Sequence, residues 1–327
     1  MPEELTRYSI IVPVYNGAEN LEACLTALVN QEYPHDQYEI IVVNDGSTDG
    51  TPEIAARFPV RIIHLPSNQG RITARNAGAE AATHDTLVFN DVRVVPERGL
   101  LRKANTRNYQ PLMPGVEDEG SERWGFPRFF HLLRCRLYHP YYPLDGSPVE
   151  VFIHAENFDT IPKGTGNFVC SRDLWLQCQP ALADKTMSDD TRILREIVNR
   201  KPILRTTAAR AFYSQRRGSG AILSHLLQRG PLFADYYLRR GGRYRNLYGL
   251  IWLFIGLMTT VSLLFPAASA ALWGGLMLAF LAAILYLSRT WTDPFVVSLY
   301  LPAVILSFGF GILKWQVTEW VTGKRSR

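Results

Sequence analysis

The sequence predicts an α/β protein: a mostly parallel sheet flanked by helices, followed by interfacial and membrane-spanning helices. Three observations carry this. Short β-rich runs alternate with helix-period stretches over roughly the first ninety residues. Those runs, YSIIVPVY, YEIIVVN, VRIIHL and TLVFN, are almost continuously apolar, as strands covered on both faces are. Charged residues then vanish from Asn246 to Ser288, a length of uncharged chain that suits lipid and not water.

The elements follow in order. After the first strand, Asn20 to Asn30 carries Leu21, Leu25 and Leu28 at helical spacing. After the second, Thr51-Pro52 reads as an N-cap followed by proline at the first helical position. After the third, Gly70 to Ala82 is alanine-rich and helical, and TLVFN closes the series. In open parallel sheets ligands bind beyond the carboxyl ends of the strands. The polar residues there are Pro13 to Gly17, NDGSTDGT at 44–51, and Asn90-Asp91. NDGSTDGT would turn tightly in any protein. Its place before a helix adds free backbone N–H groups suited to phosphate, and Asp45 adds an acceptor for a base N–H or a sugar hydroxyl.

The net charge of +5 is unevenly spread, with Lys and Arg dense between Arg192 and Arg245. Such a run is a solvated face or a contact for anionic headgroups or a phosphorylated ligand. Cys24, Cys135, Cys170 and Cys178 have no CxxC spacing and read as reduced thiols, not a zinc site or a disulfide frame. The start lacks a basic stretch followed by an apolar segment, so no signal peptide is expected.

As helix, residues 246–288 would extend roughly 65 Å, about twice the hydrocarbon thickness, so two crossings broken at Pro266 are expected. Pro294 to Leu313 would form a third. Arg239, Arg240, Arg243 and Arg245 precede the first crossing and predict a cytoplasmic front domain, in the plasma (inner) membrane. Three full crossings would put Lys324, Arg325 and Arg327 outside, against the positive-inside tendency; a re-entrant third segment, broken near Pro302, Gly309 and Gly311, would avoid that. AILSHLLQRGPLFADYYLRR reads as one or two amphipathic helices at the membrane face or packed on the front domain. The expected division is 1–215 catalytic, 216–246 connector, and 247–327 membrane domain with two or three crossings.

IVPVYNG, VVNDGSTDGT and NQGRITARNAGAEAA, in this order and spacing, resemble the family 2 glycosyltransferases of the GT-A fold, over roughly residues 8–215. The resemblance implies an inverting enzyme that uses a nucleotide-diphosphate sugar. Pro13, Tyr15 and Asp45 would hold base and ribose, and Gly70, Arg71 and Arg75 would belong to the segment closing on the diphosphate. SDDTRILREIVNR aligns Asp190 with the family's base and Asp189 with the acidic residue before it; helix capping is the bland alternative. Gly164 and Thr165 of KGTGNFVC would approach donor sugar and acceptor. No Arg-Trp pair follows Asp190, which favours one sugar per encounter over chain extension. The aromatic insert WGFPRFFHLL and YHPYYPLDG is either an acceptor wall or a packed subdomain; its histidines make no metal set.

The family's strand four normally ends in Asp-x-Asp. Here Asp91 takes the first place and Arg93 the second. The resemblance implies Mg²⁺ or Mn²⁺ at Asp91, but arginine cannot ligate a metal. Either Asp91 keeps a weakened metal site while Arg93 points elsewhere, which is the favoured expectation, or Arg93 partly replaces the cation as a fork to phosphate. Asp190 would accept the proton of an attacking hydroxyl. The expected acceptor is lipid-borne or a membrane-proximal glycan, with membrane lipids as further partners and no nucleic acid. Rival readings are transfer to a polyprenyl phosphate and a nucleotide-binding membrane protein with impaired catalysis.

Overall fold

The computed structural model describes residues 5–118, 124–142, 147–179, 189–216, 218–238 and 243–322. The chain forms two compact units. The first takes in residues 1–120, 138–185 and 189–215; the second takes in 121–137, 186–188 and 216–327.

In the first unit β1 (Tyr8–Val14), α1 (Ala18–Val29), β2 (Tyr38–Asn44), α2 (Thr51–Ala55), β3 (Arg61–His64), α3 (Arg71–Ala81) and β4 (Thr86–Asn90) alternate. The strands pair in parallel in the order β3-β2-β1-β4. Every residue of β1 is buried, because helices cover both sheet faces. Ile10 and Val12 pack with Leu21, Leu25 and Leu28 of α1 on one face. On the other, Ile11 lies so close to Gly78 of α3 that a Cβ there would overlap its side chain.

Past β4 the order changes. The chain continues through β5 (Val94–Pro96), α4 (Leu100–Arg107), β6 (Leu112–Asp118), α5 (Gly125–Leu137), β7 (Glu150–Ile153), β8 (Asn167–Ser171), α6 (Arg172–Gln177), α7 (Asp189–Arg200) and β9 (Ile203–Tyr213). β8 is antiparallel to β4 and β6, and β9 is antiparallel to β5 and β7 but parallel to β6. The predicted strands are parallel; the added ones make the sheet mixed. Thr51 is the first residue of α2 and not its cap: Gly50 holds that place, and the Thr51 hydroxyl donates to Asp49 and accepts from the Gly17 amide.

The second unit holds α5, α8 (Ser219–Phe233), a π-helical turn at Ala234–Leu238, α9 (Arg243–Leu264), α10 (Pro266–Leu287) and α11 (Asp293–Thr322). Three of these helices are long and apolar enough to cross a membrane. α8 runs through Pro231, whose missing N–H falls where α8 gives way to the π-helical turn. α11 likewise runs unbroken through Pro302, so it has no re-entrant break. The aromatic run WGFPRFFHLL supplies α5. Its Phe129 and Leu132 pack with Ile284, Leu287, Val296 and Val297, and Phe126 meets the Tyr300 ring at 4.2 Å. Arg128 clamps the fully buried Asp293 through two bonds of 2.8 and 2.9 Å. Those aromatics are spent on packing within this unit.

Candidate active site

The carboxyl ends of β1, β2 and β4 open onto the N-terminus of α3. Asp45 follows β2 and is buried; its carboxylate accepts the backbone N–H of Gln69 at 2.6 Å and of Gly70 at 2.9 Å. The turn is possible because Gly46 has φ +71°, and a Cβ there would sit 2.6 Å from the Ser67 carbonyl carbon. Asp45 thus ties down the loop that launches α3. Pro13 is buried near the end of strand β1 and Tyr15 is exposed just beyond it.

α3 then projects two arginines four positions apart, on one face. Arg75 has no exposed side-chain surface. Its guanidinium donates to Asp91 Oδ1 at 2.7 Å, to Asp190 Oδ1 at 2.7 Å and to the Thr165 carbonyl at 3.2 Å. Arg71 is half exposed and reaches Asp190 Oδ2 at 2.9 Å and Asp91 Oδ2 at 3.9 Å. A planar fork joins two carboxylates through separate nitrogens held in one fixed geometry. The acidic residues 45, 91 and 190 are far apart in sequence, and α3 gathers all three.

Asp91 is fixed from behind. Its amide donates to the Gly166 carbonyl at 2.8 Å, and Asn90 bonds the Val94 carbonyl at 2.8 Å and Asn167 at 2.7 Å. Gly164 is exposed, with open space where a Cβ would stand, while Thr165 is buried with its hydroxyl lacking a partner. Asp189 begins α7, and its side chain lies outside the described residues. Arg93 reaches toward α1, where its Nη2 is 3.9 Å from Glu19.

Among the described residues no group of three or more His, Cys, Asp or Glu could hold a metal. Asp91 Oδ1 is taken by Arg75, which leaves Oδ2 as the available ligand. A single carboxylate completed by phosphate oxygens and water is a set that Mg²⁺ accepts.

Residues 9–106 match the family described as Glycosyl transferase family 2. Glycosyltransferase AglE of Haloferax volcanii is 40% identical over 108 residues, 32% of this chain and 36% of that protein. The chain matches only 26–36% of the length of this and the next curated relatives, YibD of Escherichia coli and EpsH of Bacillus subtilis. The mannosyltransferase PcManGT from Pyrobaculum calidifontis, solved with GDP-Man and Mn²⁺, superposes with TM-score 0.61 at 18% identity, covering 95% of this chain and 88% of that one. S. aureus TarS 1-349, solved with UDP-GlcNAc, gives 0.52 at 14%, covering 98% and 93%. At these identities the likeness is one of fold.

The glycosyltransferase match holds Pro13 through Arg93 but ends before Gly164, Thr165 and Asp190, which the fold itself brings alongside. Sequence reasoning missed the brace behind Asp190. Arg195, on the same helix, pairs with Asp159 at 2.7 Å and stacks over Phe158 at 4.0 Å; Lys163 sits over the same ring at 4.2 Å. Burial lowers the Lys163 ammonium from its ordinary value near 10.5 to about 8. No local motif marks these four residues, so nothing short of the fold could unite them.

Proposed function

We propose that the protein is an inverting glycosyltransferase that moves one sugar per encounter from a nucleotide-diphosphate sugar to a lipid-linked or membrane-proximal acceptor. The catalytic region of this reading is 1–215 less α5, with 216–246 as connector and 247–327 as membrane anchor. One observation carries it: a buried arginine, Arg75, joins Asp91 on the donor side to Asp190 on the acceptor side. Two structures of similar fold, solved with GDP-Man and with UDP-GlcNAc, support a nucleotide-sugar donor.

Each residue has a step. Pro13, Tyr15 and Asp45 receive base and ribose, and the α3 N-terminus with Gly70 faces the diphosphate. Arg75 holds Asp190 and Asp91 on one guanidinium, which keeps the base next to the donor side of the site. Arg71, exposed and paired with Asp190, is the arm that can leave: the diphosphate draws it off and frees Asp190 Oδ2 to take the acceptor proton. Donor therefore binds before acceptor. Thr165 and Gly164 border the sugar, and Asp189 stands beside the base. Asp91 Oδ2 would hold a divalent cation, whose chemistry is to neutralise charge on the departing diphosphate. Arg93, turned toward Glu19, leaves that task to Asp91, Arg71 and the cation. The membrane segments suit a cytoplasmic catalytic region at the inner membrane.

The test is release of nucleoside diphosphate from labelled nucleotide sugars by the purified protein in native lipid. Asp190→Asn should lower turnover on the order of 100-fold or more, with donor affinity kept. Unchanged turnover would remove Asp190 from the role. Tight nucleotide binding with no release by the unaltered protein would leave a nucleotide-binding membrane protein instead.

A further inference from the structure

Three helices of the second unit are apolar and long enough to span a bilayer, yet their contacts do not allow all three to do so. We infer that α9 and α10 cross as a hairpin and that α11 lies in the plane of the leaflet where α9 begins and α10 ends, with one apolar face against the acyl chains. The partner of that face is lipid. This goes beyond the sugar-transfer reading and does not depend on it.

The hairpin comes first. α9 and α10 are separated by Phe265 alone, and Trp273 donates to Ser262 at 3.2 Å across the break. The start of α9 and the end of α10 therefore share one membrane face. Both ends of α11 meet that face. Its first turns, at Val296 and Val297, pack on Ile284 and Leu287 at the end of α10. Its far half, at Gln316, accepts a 2.9 Å bond from Tyr248 in the second turn of α9, and Trp315 packs with Tyr244 and Tyr248. Residues 293 and 316 are roughly 35 Å apart along a helix, more than the hydrocarbon thickness of about 30 Å. A crossing α11 would carry Gln316 to the level of Phe265, away from Tyr248.

The faces of α11 agree. Phe295, Leu299, Leu306, Phe310, Val317 and Trp320 are exposed and fall on one stripe of a 3.6-residue helix. The opposite side is covered along its length. α5, bearing Arg128, Arg134 and Arg136, covers the first turns through Tyr300. α8, with exposed Ser224, Gln228 and Arg229, covers the far half, where a Cβ on Gly230 would lie 2.6 Å from the Phe308 carbonyl oxygen. Were α11 to cross, one of these polar helices would sit deep in hydrocarbon, where charged side chains are costly. Lying flat, α11 keeps both at headgroup level.

Single-cysteine probes test this, because all four native cysteines are buried. In sealed vesicles with a membrane-impermeant maleimide, Thr318→Cys should label from the same side as Ser224→Cys, and Phe265→Cys from the other. Labelling of Thr318→Cys together with Phe265→Cys would overturn the inference. A second measurement covers the case of a misfolded variant. Spin labels at Leu299, Leu306, Phe310 and Val317 of α11 in lipid nanodiscs should report one common depth, while labels at Leu272, Leu278 and Leu285 of α10 report a gradient. A gradient along α11 matching that of α10 would make it a third crossing.

Discussion

Arg71 and Arg75 are four residues apart and carry the same charge, yet burial gives them opposite consequences. Arg75 is wholly enclosed, so Arg75→Met leaves Asp91 and Asp190 with only the half-exposed Arg71 to offset their charge. Breaking such a pair costs about 3 kcal/mol, the low end for buried partners because both carboxylates are partly solvated. Arg75→Lys should fail nearly as badly, since a single nitrogen cannot reproduce the spread of Nη1 and Nη2 that reaches Asp190, Asp91 and the Thr165 carbonyl together. Arg71 is half exposed, so Arg71→Ala should shift stability by about 0.5 kcal/mol or less. Its expected signature is a raised KM for the donor, roughly tenfold, with the melting temperature unmoved. Equal losses of stability in both variants would contradict the division of roles. Lys163 supplies a pH test. Its folded value, about 8, lies below its unfolded value near 10.5, so the unfolded chain binds the extra proton between them. Stability should rise with pH across that window, and the full cost of burying the ammonium is carried below pH 8. Denaturant midpoints of the unaltered protein, compared with Lys163→Met from pH 7 to 10, should converge or cross in that direction; a constant offset would show that Lys163 does not titrate there.

At the scale of elements, the loop before α3 depends on a glycine with a defined reason. Gly46→Ala forces a side chain into a left-handed conformation, about 1–2 kcal/mol, and drives its Cβ into the backbone of Ser67 and Asn68. The loop should lift from Asp45, with faster amide hydrogen exchange at Gln69 and Gly70 and weaker nucleotide binding; unchanged exchange would mean Asp45 does not hold the loop. Elements of this kind were legible in the sequence. β1, β2 and β4 are nearly continuous apolar runs, and the polar residues that end them sit next to one another because parallel strands share a direction. β5 to β9 were not legible. Their runs are short, and β8 reads as the tail of a glycine-rich loop because its pairing with β4 joins residues some eighty positions apart. The role of Arg75 was half legible: its motif pointed to phosphate, while the bridge to Asp190 required α7 to fold back from 115 residues away. The Asp91-x-Arg93 departure was plain in the sequence, but the direction in which Arg93 points depends on Glu19, which no motif connects to it.

At the scale of the whole molecule, the chain is not cut where its composition changes. The shift to uncharged sequence suggests that the front can be isolated by ending near residue 215. But α5, encoded between β6 and β7, belongs to the second unit and buries Phe129 and Leu132 against Ile284, Leu287, Val296 and Val297. Removing residues 216–327 strips the cover from that apolar face and leaves Arg128 without Asp293. An exposed patch of this kind drives association in water. A fragment of residues 1–215 should therefore need detergent and elute as aggregate on size exclusion, although its nucleotide site is complete. The same fragment with residues 124–137 replaced by a short Gly/Ser linker should elute as a monomer and keep donor affinity within a factor of about 3, well under the 1.4 kcal/mol that a tenfold change represents. If the unmodified fragment is already monomeric without detergent, α5 is not held by the membrane helices, and the clamp between Arg128 and Asp293 is not what orders it.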